Sequence, residues 1–279
     1  MRKRFVRISI IFIFLYFLFF KIVWASKPRN IRVTDISATE FVVSWTGYQK
    51  EIGLINYGKS SKQSIISTAK DIRGDISDYI HYIRVKSLSP ETLYKFEIIS
   101  GTTTDNNHGQ YYSVKTSEDI IILPVDLCKP SGQIIKPLPS LSRSVIIYLT
   151  IFENGEFSET KSKLVTFEND YSWRFDLINF KTLNLKKKFQ YFCGKSMVLV
   201  EAEAGLDGVA WMITDAVHSK TSSNFRPEMV LKELPKSDLC GAILILKSLV
   251  GIGYFPVLDM NNNFLDISDV LYMLIDSKK

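Results

Sequence analysis

The chain has 279 residues, with 35 Lys and Arg against 29 Asp and Glu, which gives a formal net charge of +6. Residues 1–25 hold five of these cations and none of the acids, so the remainder carries 30 cations (35 less 5) against 29 acids, or about +1. This near-neutral balance argues against a nucleic-acid partner, and none is predicted.

Size and cysteine content point to modules that are held together by their cores. About 254 residues follow the first 25, which is enough for two or three modules, and 18 Phe and 13 Tyr can fill a core in each. Three cysteines allow at most one disulfide within a monomer. Cys128 is expected to pair with Cys193, because both lie in the middle region and export permits oxidation. Cys240, in an apolar stretch, is expected to be a buried small hydrophobe.

The first 25 residues have the three parts of a secretory signal. Met1–Arg7 is strongly basic, Ile8–Phe20 is apolar but for one serine, and Val23–Ala25 provides the residues of a cleavage site. The apolar run ends at Lys21 and is shorter than the roughly 20 residues of a comfortable membrane span. We therefore expect cleavage after residue 25 and a secreted or periplasmic protein. An uncleaved N-terminal membrane anchor is the alternative.

Residues 27–117 alternate short β-rich runs with turn residues at the spacing of a β-sandwich. Trp45 has the size to fill the gap of about 10 Å between two packed sheets. The turn at Leu88 leads into the sixth strand, where the Tyr94 hydroxyl is expected to bond back to the turn backbone. The predicted strands are Ile31–Val33, Phe41–Trp45, Ile52–Tyr57, a run from Ser61, Tyr79–Val85, Leu93–Ile98 and Gln110–Val114.

This module resembles the fibronectin type III family. His81, together with Tyr57 and Gly58, is similar to the variant found at the N-terminus of purple acid phosphatases. In those enzymes the metals and the chemistry belong to a separate downstream domain, whose Gly-Asp and Gly-Asn-His signatures do not follow here, so His81 is interpreted as a strand residue. The residues that carry the resemblance to fibronectin type III are Pro28, Trp45, Tyr57, Gly58, Leu88, Pro90, Thr92 and Tyr94.

Two motif matches in this module are interpreted as chance. Gly53–Ser60 fits the phosphate-binding pattern GxxxxGKS letter for letter, but its interior Leu-Ile-Asn-Tyr is bulky and strand-forming. A phosphate-binding loop must follow a buried strand and open a helix, so we predict a strand and no nucleotide. Arg73–Asp75 matches the integrin-binding tripeptide, but it precedes the fifth strand and is interpreted as an ordinary solvated turn.

Residues 118–235 predict a second β-sandwich. Ser144–Phe152 has the composition of a buried strand, and Glu153–Glu156 that of a hairpin turn. Tyr171–Leu177 alternates aromatic residues on one side, as a strand facing a core does. Further strands are predicted at Leu164–Phe167, Ser196–Glu203 and Ala210–Ile213.

This second module is similar to the carboxypeptidase-regulatory-like, or transthyretin-like, sandwiches. The similarity lies in Cys128–Gly132, Val145–Tyr148 and Tyr171–Phe175. It implies a non-catalytic spacer or a unit that contacts carbohydrate or a surface. Tyr171 and Trp173 have rings that could stack on sugars, but their alternating spacing favours core positions.

Residues 236–279 contain two units, in which Ser237-Asp238 and Ser268-Asp269 each open an apolar, helix-like stretch. This paired arrangement resembles the dockerin modules of bacterial extracellular proteins. Dockerins are attachment devices, so the resemblance implies a protein partner that binds through residues 236–279.

The second unit contains a candidate calcium site with oxygen-bearing side chains at near-alternate positions, followed by an acid at the mouth of a helix. Compared with an EF-type loop the series is one residue short and has no glycine at the sharp turn, which Asn263 or Phe264 would then make. Three carboxylates without a bidentate glutamate predict weak affinity. The alternative is that Asp238 and Asp269 only cap helices. The candidate ligands are Asp259, Asn261, Asn263, Asp266 and Asp269.

The predicted fold class is mainly β, with two consecutive β-sandwich domains and a small C-terminal α-helical module. The sequence has no Ser/His/Asp pattern, GxSxG elbow, metal-type His spacing or CxxC, so no catalytic residue is predicted. We expect a secreted or cell-surface modular protein for binding or scaffolding, with extracellular polysaccharide or the cell envelope as further partners. The alternative is an accessory or degenerate member of an extracellular hydrolase system. Glu201 and Glu203, two apart on one strand, are the best carboxylate pair for it.

Overall fold

The computed structural model describes residues 27–60, 67–119, 128–136, 139–166, 170–215 and 228–231. They form fifteen β-strands and two 3₁₀ turns, at Leu177–Asn179 and Gly205–Asp207. Within these residues no helix is long and apolar enough to cross a membrane. The predicted signal, the predicted tail with its calcium ligands, and Cys240 lie outside the described residues.

The strands fall into two groups along the chain. The first group is β1 (Arg29–Thr34), β2 (Phe41–Lys59), β3 (Ser67–Lys70), β4 (Ser77–Val85), β5 (Leu93–Ser100), β6 (Thr103–Asp105) and β7 (Tyr112–Lys115). The second group is β8 (Ser131–Ile135), β9 (Ser144–Glu153), β10 (Glu156–Phe157), β11 (Lys161–Thr166), β12 (Ser172–Arg174), β13 (Met197–Glu203), β14 (Val209–Asp215) and β15 (Glu228–Val230).

In the first sandwich, one long strand belongs to both sheets. The first part of β2 pairs with β1 and β4, and the second part, from Gly53, pairs with β3 and β5. The register of β2 on β4 shifts between Thr46 and Glu51, where the chain passes from one sheet to the other. The sequence predicted two separate strands here. They are joined because the residues between them include no proline, so the backbone stays extended.

The core of the first sandwich lies on the inner faces of these two sheets. Trp45 is fully buried there, as predicted, and stacks on His81 with ring centroids 4.8 Å apart. The backbone N–H of Ser89 donates to the Tyr94 hydroxyl at 2.9 Å, so the predicted tyrosine contact with the turn is confirmed. The other members of the core include Phe41, Val43, Ile55, Ile83, Val85, Leu88, Phe96, Ile98 and Val114.

The second sandwich is centred on β9. This strand pairs with β10 and β11 on one side and with β13 on the other, and β14 pairs with β13 beyond it. The opposing sheet has the order β12-β8-β15, with β15 parallel to β8. The predicted disulfide is present, with the Cα atoms of Cys128 and Cys193 5.8 Å apart. The predicted hairpin after β9 is also present, and Asn154 and Gly155 adopt the positive φ values (50° and 82°) that a two-residue hairpin turn requires.

One predicted strand is shorter than expected. The run Tyr171–Leu177 forms a strand only over Ser172–Arg174. The side chain of Asp176 accepts a hydrogen bond from the backbone N–H of Ile178 and so caps a 3₁₀ turn that begins at Leu177. Side-chain capping of this kind competes with the strand for the backbone donors. Trp173 is buried, as the alternating pattern predicted.

The two sandwiches pack face to face. Val42, Ile80 and Tyr82, on the outer face of the sheet formed by β1, β2 and β4, belong to the same buried apolar cluster as Tyr148 on β9 and Val200 on β13. The outer face of the first sandwich is therefore an interior surface of the molecule.

Candidate functional site

Several of the buried ionisable side chains lie where the two sandwiches meet. We call this region the polar seam. It is formed on one side by the outer face of β1, β2 and β4, and on the other by the facing sides of β9, β11 and β13. Its central members are Asn30, Arg32, Thr34, Ser44, Thr46 and Tyr82 from the first sandwich, and Tyr148, Ser162, Glu201 and Glu203 from the second.

Arg32 is the central cation of the polar seam. Its Nη1 and Nη2 donate to the two carboxylate oxygens of Glu201 at 3.1 and 3.2 Å, a bidentate pair in which the side chains are only 12% and 4% exposed. The guanidinium carbon also lies 4.0 Å from the centre of the Tyr148 ring. Burial alone would lower the pKa of Arg32, but Glu201, Tyr148 and Glu203 together outweigh it, so the pKa is raised and Arg32 stays a cation.

Glu203 lies beside this pair and is fully buried. Asn30 Nδ2 donates to Glu203 Oε1 at 2.5 Å, and Thr46 Oγ1 lies 3.5 Å from the same oxygen. Glu203 Oε2 has no hydrogen-bond partner among the described residues. Burial raises the pKa of Glu203 against the opposing effect of Arg32, which favours the neutral carboxylic acid in the folded protein.

The arrangement of Glu201 and Glu203 differs from that of a hydrolase. They share one face of β13, as predicted, but that face lies beneath the first sandwich, and both residues are buried. Two-carboxylate hydrolysis needs room between the carboxyl groups for a sugar and a water molecule. Here Arg32 and Asn30 of β1 occupy three of the four carboxylate oxygens instead. The chemistry available to this pair is therefore the binding of β1.

Arg73 ties one end of the polar seam together. Its guanidinium donates to Asp71 at 2.8 Å, to Asp78 at 2.7 Å and to Ser144 of the second sandwich at 2.9 Å. The sequence predicted a solvated turn at Arg73–Asp75, and for Arg73 this was wrong, because the two acids draw it into the interface. Gly74 and Asp75 match the prediction: both are exposed, and Asp75 forms an exposed ion pair with Lys70.

Asp207 anchors the loop that leads into β9. Its carboxylate accepts hydrogen bonds from the backbone N–H groups of Leu141 (2.7 Å) and Ser142 (2.9 Å), and it forms an ion pair with buried Lys136 at 2.8 Å. Burial opposes the charged form, but Lys136 and the two N–H donors outweigh it, so the pKa of Asp207 is lowered. The Ser142 hydroxyl donates in turn to Asp78 at 3.0 Å, which links this loop to the first sandwich.

Lys181 ties the opposite end of the polar seam. From the second sandwich its Nζ donates to the backbone oxygen of Ile36 at 3.1 Å and to Ser117 Oγ at 2.7 Å. Burial lowers the pKa of Lys181, against the effect of nearby Glu159. The two ends and the centre of the interface are thus all held by charged or polar contacts.

The remaining sequence hypotheses have separate locations. Gly53–Lys59 lies within β2, as predicted, and Lys59 Nζ donates to Ser89 Oγ at 2.8 Å. His81 is a buried strand residue of the first core. Among the described residues no group of three or more His, Cys, Asp or Glu could hold a metal ion. The five candidate calcium ligands lie outside the described residues, so that site stays a prediction.

Sequence reasoning did not find Arg32, Asn30 or Asp207. A weak signal was available for Arg32, because it stands between two apolar strand residues, Ile31 and Val33, where alternation places it on the outer face. Nothing in the sequence indicates that a second sandwich covers that face.

Comparisons with known proteins add little to this geometry. No family model matches the chain, and no curated protein matches it. Among solved structures, the FN1–FN3 domains of chicken CNTN1 are 17% identical over 68% of this chain and 65% of that chain, with a TM-score of 0.26. A two-domain fibronectin type III segment of chicken tenascin is 11% identical over 67% of this chain and 98% of that chain, with a TM-score of 0.24.

A third similar structure is the sensor domain of the anti-sigma factor RsgI4 in Pseudobacteroides cellulosolvens. It is 18% identical over 34% of this chain and 98% of that chain, with a TM-score of 0.25. Identities and scores of this size define neither a family nor a function. The described strands and their pairing establish a mainly β protein with a fibronectin type III-like β-sandwich at its N-terminal side.

Proposed function

We propose that this chain is an exported, non-catalytic modular binding protein, in which two β-sandwiches form one rigid unit and residues 236–279 attach it to a protein partner. The observation that carries the proposal is the polar seam. Its buried acids and bases bind each other across the interface and are not arranged around a cleft. Such contacts fix the relative orientation of two domains, which is what a spacer or scaffold requires.

The alternative, a hydrolase-related function, is less well supported by the same contacts. A substrate would have to displace β1 to reach Glu201 and Glu203, because Arg32 and Asn30 occupy three of their four carboxylate oxygens. That displacement would leave two carboxyl groups buried without their partners, which costs several kcal/mol.

Attachment through the tail is the part of the proposal that rests on sequence alone. The two Ser-Asp units and the oxygen series from Asp259 to Asp269 support a dockerin-like module with a weak calcium site. The fibronectin type III-like sandwich is compatible with further contacts to polysaccharide or to the cell envelope.

The test compares the full chain with a chain that ends at Pro235 in a capture experiment against cell-envelope and secreted proteins. We expect the full chain to retain a partner in millimolar calcium, and to lose it when calcium is chelated or when the tail is removed. Capture that is equal for both chains would move the partner site to the sandwiches and contradict the tail proposal.

Calcium binding is tested separately by the melting temperature of the full chain in millimolar calcium. We expect Asp266→Asn with Asp269→Asn to abolish the calcium-dependent rise. Asp276→Asn, which lies outside the predicted ligand series, is the matched control and should preserve it. If calcium has no effect on the unaltered chain, the acids only cap helices.

A further inference from the structure

A short hairpin lies between β12 and β13 of the second sandwich. We call its residues, 181–188, the lysine hairpin. Its two arms meet in an antiparallel bridge between Lys181 and Lys188. Next to this bridge the backbone N–H of Phe189 donates to the backbone oxygen of Phe180 at 2.9 Å, and both phenylalanines are buried in the core of the second sandwich. The base of the hairpin is therefore firmly anchored.

The tip of the lysine hairpin is held by hydrogen bonds of its own. The backbone N–H of Leu185 donates to the backbone oxygen of Thr182 at 2.8 Å, and the backbone N–H of Lys186 donates to Asn184 Oδ1 at 3.1 Å. The Thr182 hydroxyl donates to the same Asn184 oxygen at 2.7 Å. An ordered tip presents its side chains in a constant arrangement, so it loses little conformational entropy when it binds a partner.

The lysine hairpin lies in a segment that carries only positive charge. Residues 177–200 include five lysines and no acid. One of them, Lys181, reaches into the polar seam. Lys186 and Lys187 are exposed and Lys188 is half-buried, and none of these three forms an ion pair with another described residue. Since the chain after residue 25 is nearly neutral overall, this local cluster favours a partner with an anionic surface.

The tip of the lysine hairpin also carries leucines. Leu183 is 72% exposed, more than any other large apolar side chain among the described residues. Leu185 is half-buried, and its φ of 63° is a left-handed backbone conformation that leucine rarely adopts. A single exposed leucine is common on protein surfaces. Leucine combined with clustered lysines is the composition of segments that lie in a lipid–water interface.

We propose that the lysine hairpin binds the surface of a membrane that contains anionic lipids. The lysines contact lipid phosphates, and Leu183 enters the headgroup region. A bilayer surface provides both parts of this match, negative charge at the phosphates and an apolar layer beneath them. A nucleic acid or an acidic polysaccharide provides the charge but no apolar layer. The inference goes beyond the proposed function, because it concerns a lipid contact of the second sandwich and not the protein partner of the tail.

The consequence of this contact is orientation of the protein on the membrane. Each lysine near an anionic surface strengthens binding by only roughly fivefold, and stable attachment requires a second signal. The hairpin is connected to both sandwiches, because Lys181 Nζ donates to the backbone oxygen of Ile36 and to Ser117 Oγ. Membrane contact at the hairpin therefore sets the orientation of the whole two-sandwich unit.

The first experiment measures vesicle binding by flotation, using the chain that starts at Ser26. Residues 1–25 are left out because a basic and apolar segment binds membranes by itself, and they are expected to be removed on export. Equimolar phosphatidylglycerol and phosphatidylcholine provide the anionic surface, and phosphatidylcholine alone is the neutral control. We expect binding to the anionic vesicles only, and its loss at high ionic strength.

The second experiment separates the lysine hairpin from positive charge elsewhere. Lys186→Gln with Lys187→Gln should weaken binding to the anionic vesicles by roughly thirtyfold. Lys86→Gln with Lys115→Gln is the matched control, since it removes two exposed lysines of the first sandwich and changes the net charge by the same amount. We expect the control to bind within about twofold of the unaltered chain, because charges far from the membrane are screened.

The third experiment tests the apolar part of the contact. Leu183→Ser should weaken binding to the anionic vesicles by about tenfold. Leu93→Ser, at a leucine of β5 that is 44% exposed, is the matched control and should bind as the unaltered chain does. If Leu183→Ser also binds normally while the double lysine variant does not, the hairpin recognises a polyanion without an apolar layer, and the lipid proposal is wrong.

Three further results would overturn the proposal: equal binding to neutral and anionic vesicles, no binding to either, or equal losses in a hairpin variant and its control. The substituted side chains are exposed, so we expect unchanged melting temperatures, which ensure that a loss of binding is not a loss of folding. No protein partner is present in these measurements, so their outcome is independent of the capture experiment on the tail.

Discussion

The sheet formed by β1, the first part of β2, and β4 has two buried faces that differ in chemistry, one almost entirely apolar and the other a mixture of apolar and charged residues. Its inner face carries Phe41, Val43 and Trp45, which pack in the core of the first sandwich. Its outer face carries Ser44 and Thr46, together with Arg32 on β1, and these residues are covered by the second sandwich.

The difference between these faces shows two ways of burying a sheet. The inner face is stabilised by the removal of apolar area from water, at about 25 cal/mol per Å², and it tolerates any well-packed apolar neighbour. The outer face also buries Val42, Ile80 and Tyr82, but its charged groups gain little from burial, because each of them loses its hydration. It is stable only against a surface that carries the matching partners, and so it specifies one orientation of the second sandwich.

Loss of the central cation tests this comparison most severely. We expect Arg32→Met to lower the free energy of unfolding by about 4 kcal/mol, because it leaves the carboxylate of Glu201 buried without its cation. The effect is measured by urea denaturation. In the matched control, Lys70→Met breaks the exposed pair with Asp75 and should cost less than about 1 kcal/mol. Equal effects would mean that the polar seam is solvated and does not fix the sandwiches.

The inner face was predictable from sequence and the outer face was not, for a physical reason. Alternation of apolar residues in Phe41–Trp45 indicates which side of a strand faces a core, and the predicted burial of Trp45 is confirmed. The polar residues on the other side of this strand, Ser44 and Thr46, have the same pattern as a solvated face. Their partners lie more than 100 positions away, as for Ser44 with Tyr148, and no local pattern connects them.

At the candidate site, the sequence was again sufficient to place the carboxylate pair on a strand but not to identify its partners. The sequence placed Glu201 and Glu203 on one face of a strand, which is confirmed. It could not show that Asn30 and Arg32 cover them, since that depends on how two separately predicted sandwiches pack. The Cys128–Cys193 disulfide was predictable because only three cysteines limit the choices.

The pH dependence of stability tests how well His81 is buried on the inner, apolar face. Burial lowers the pKa of His81 to about 4 from 6.5, with a smaller contribution from Arg73 and against the charges of Asp71 and Asp78. The unfolded chain therefore takes up a proton near pH 6.5, whereas the folded protein does not until about pH 4. Stability is lost as the pH falls through this window, by up to about 3 kcal/mol.

The His81 effect is isolated by comparing the wild-type protein with His81→Leu between pH 7 and pH 4. Glu203 and Glu159 act in the opposite direction in both proteins, because burial raises their pKa values, so only the difference between the two curves is diagnostic. We expect the wild type to lose more stability on acidification. Parallel curves would mean that water reaches the His81 ring.

Gly53→Ala tests how tightly the inner face is packed. A Cβ atom at this position would lie 2.3 Å from His81 Nδ1 and 2.7 Å from Trp45 Cζ2. Neither ring can move freely, since both are buried and stacked on each other. We expect a loss of about 2 kcal/mol in unfolding free energy. The combination with His81→Ala should cost less than the sum of the single changes, and strict additivity would place the strain elsewhere.

Tyr94→Phe has the smallest expected effect. It measures how much a polar contact inside the first sandwich contributes to stability, for comparison with the contacts of the polar seam. It removes only the oxygen that accepts the Ser89 N–H at 2.9 Å, so we expect a loss of about 1 kcal/mol in urea denaturation. Tyr57→Phe, which removes a hydroxyl that makes no hydrogen bond with the described residues, is the control and should be nearly neutral. A loss as large as that of Arg32→Met would show that local turn contacts stabilise the protein as strongly as the interface does. A neutral result for Tyr94→Phe would mean that water replaces the hydroxyl as the acceptor of the Ser89 N–H. The polar contacts that matter for stability would then be confined to the polar seam.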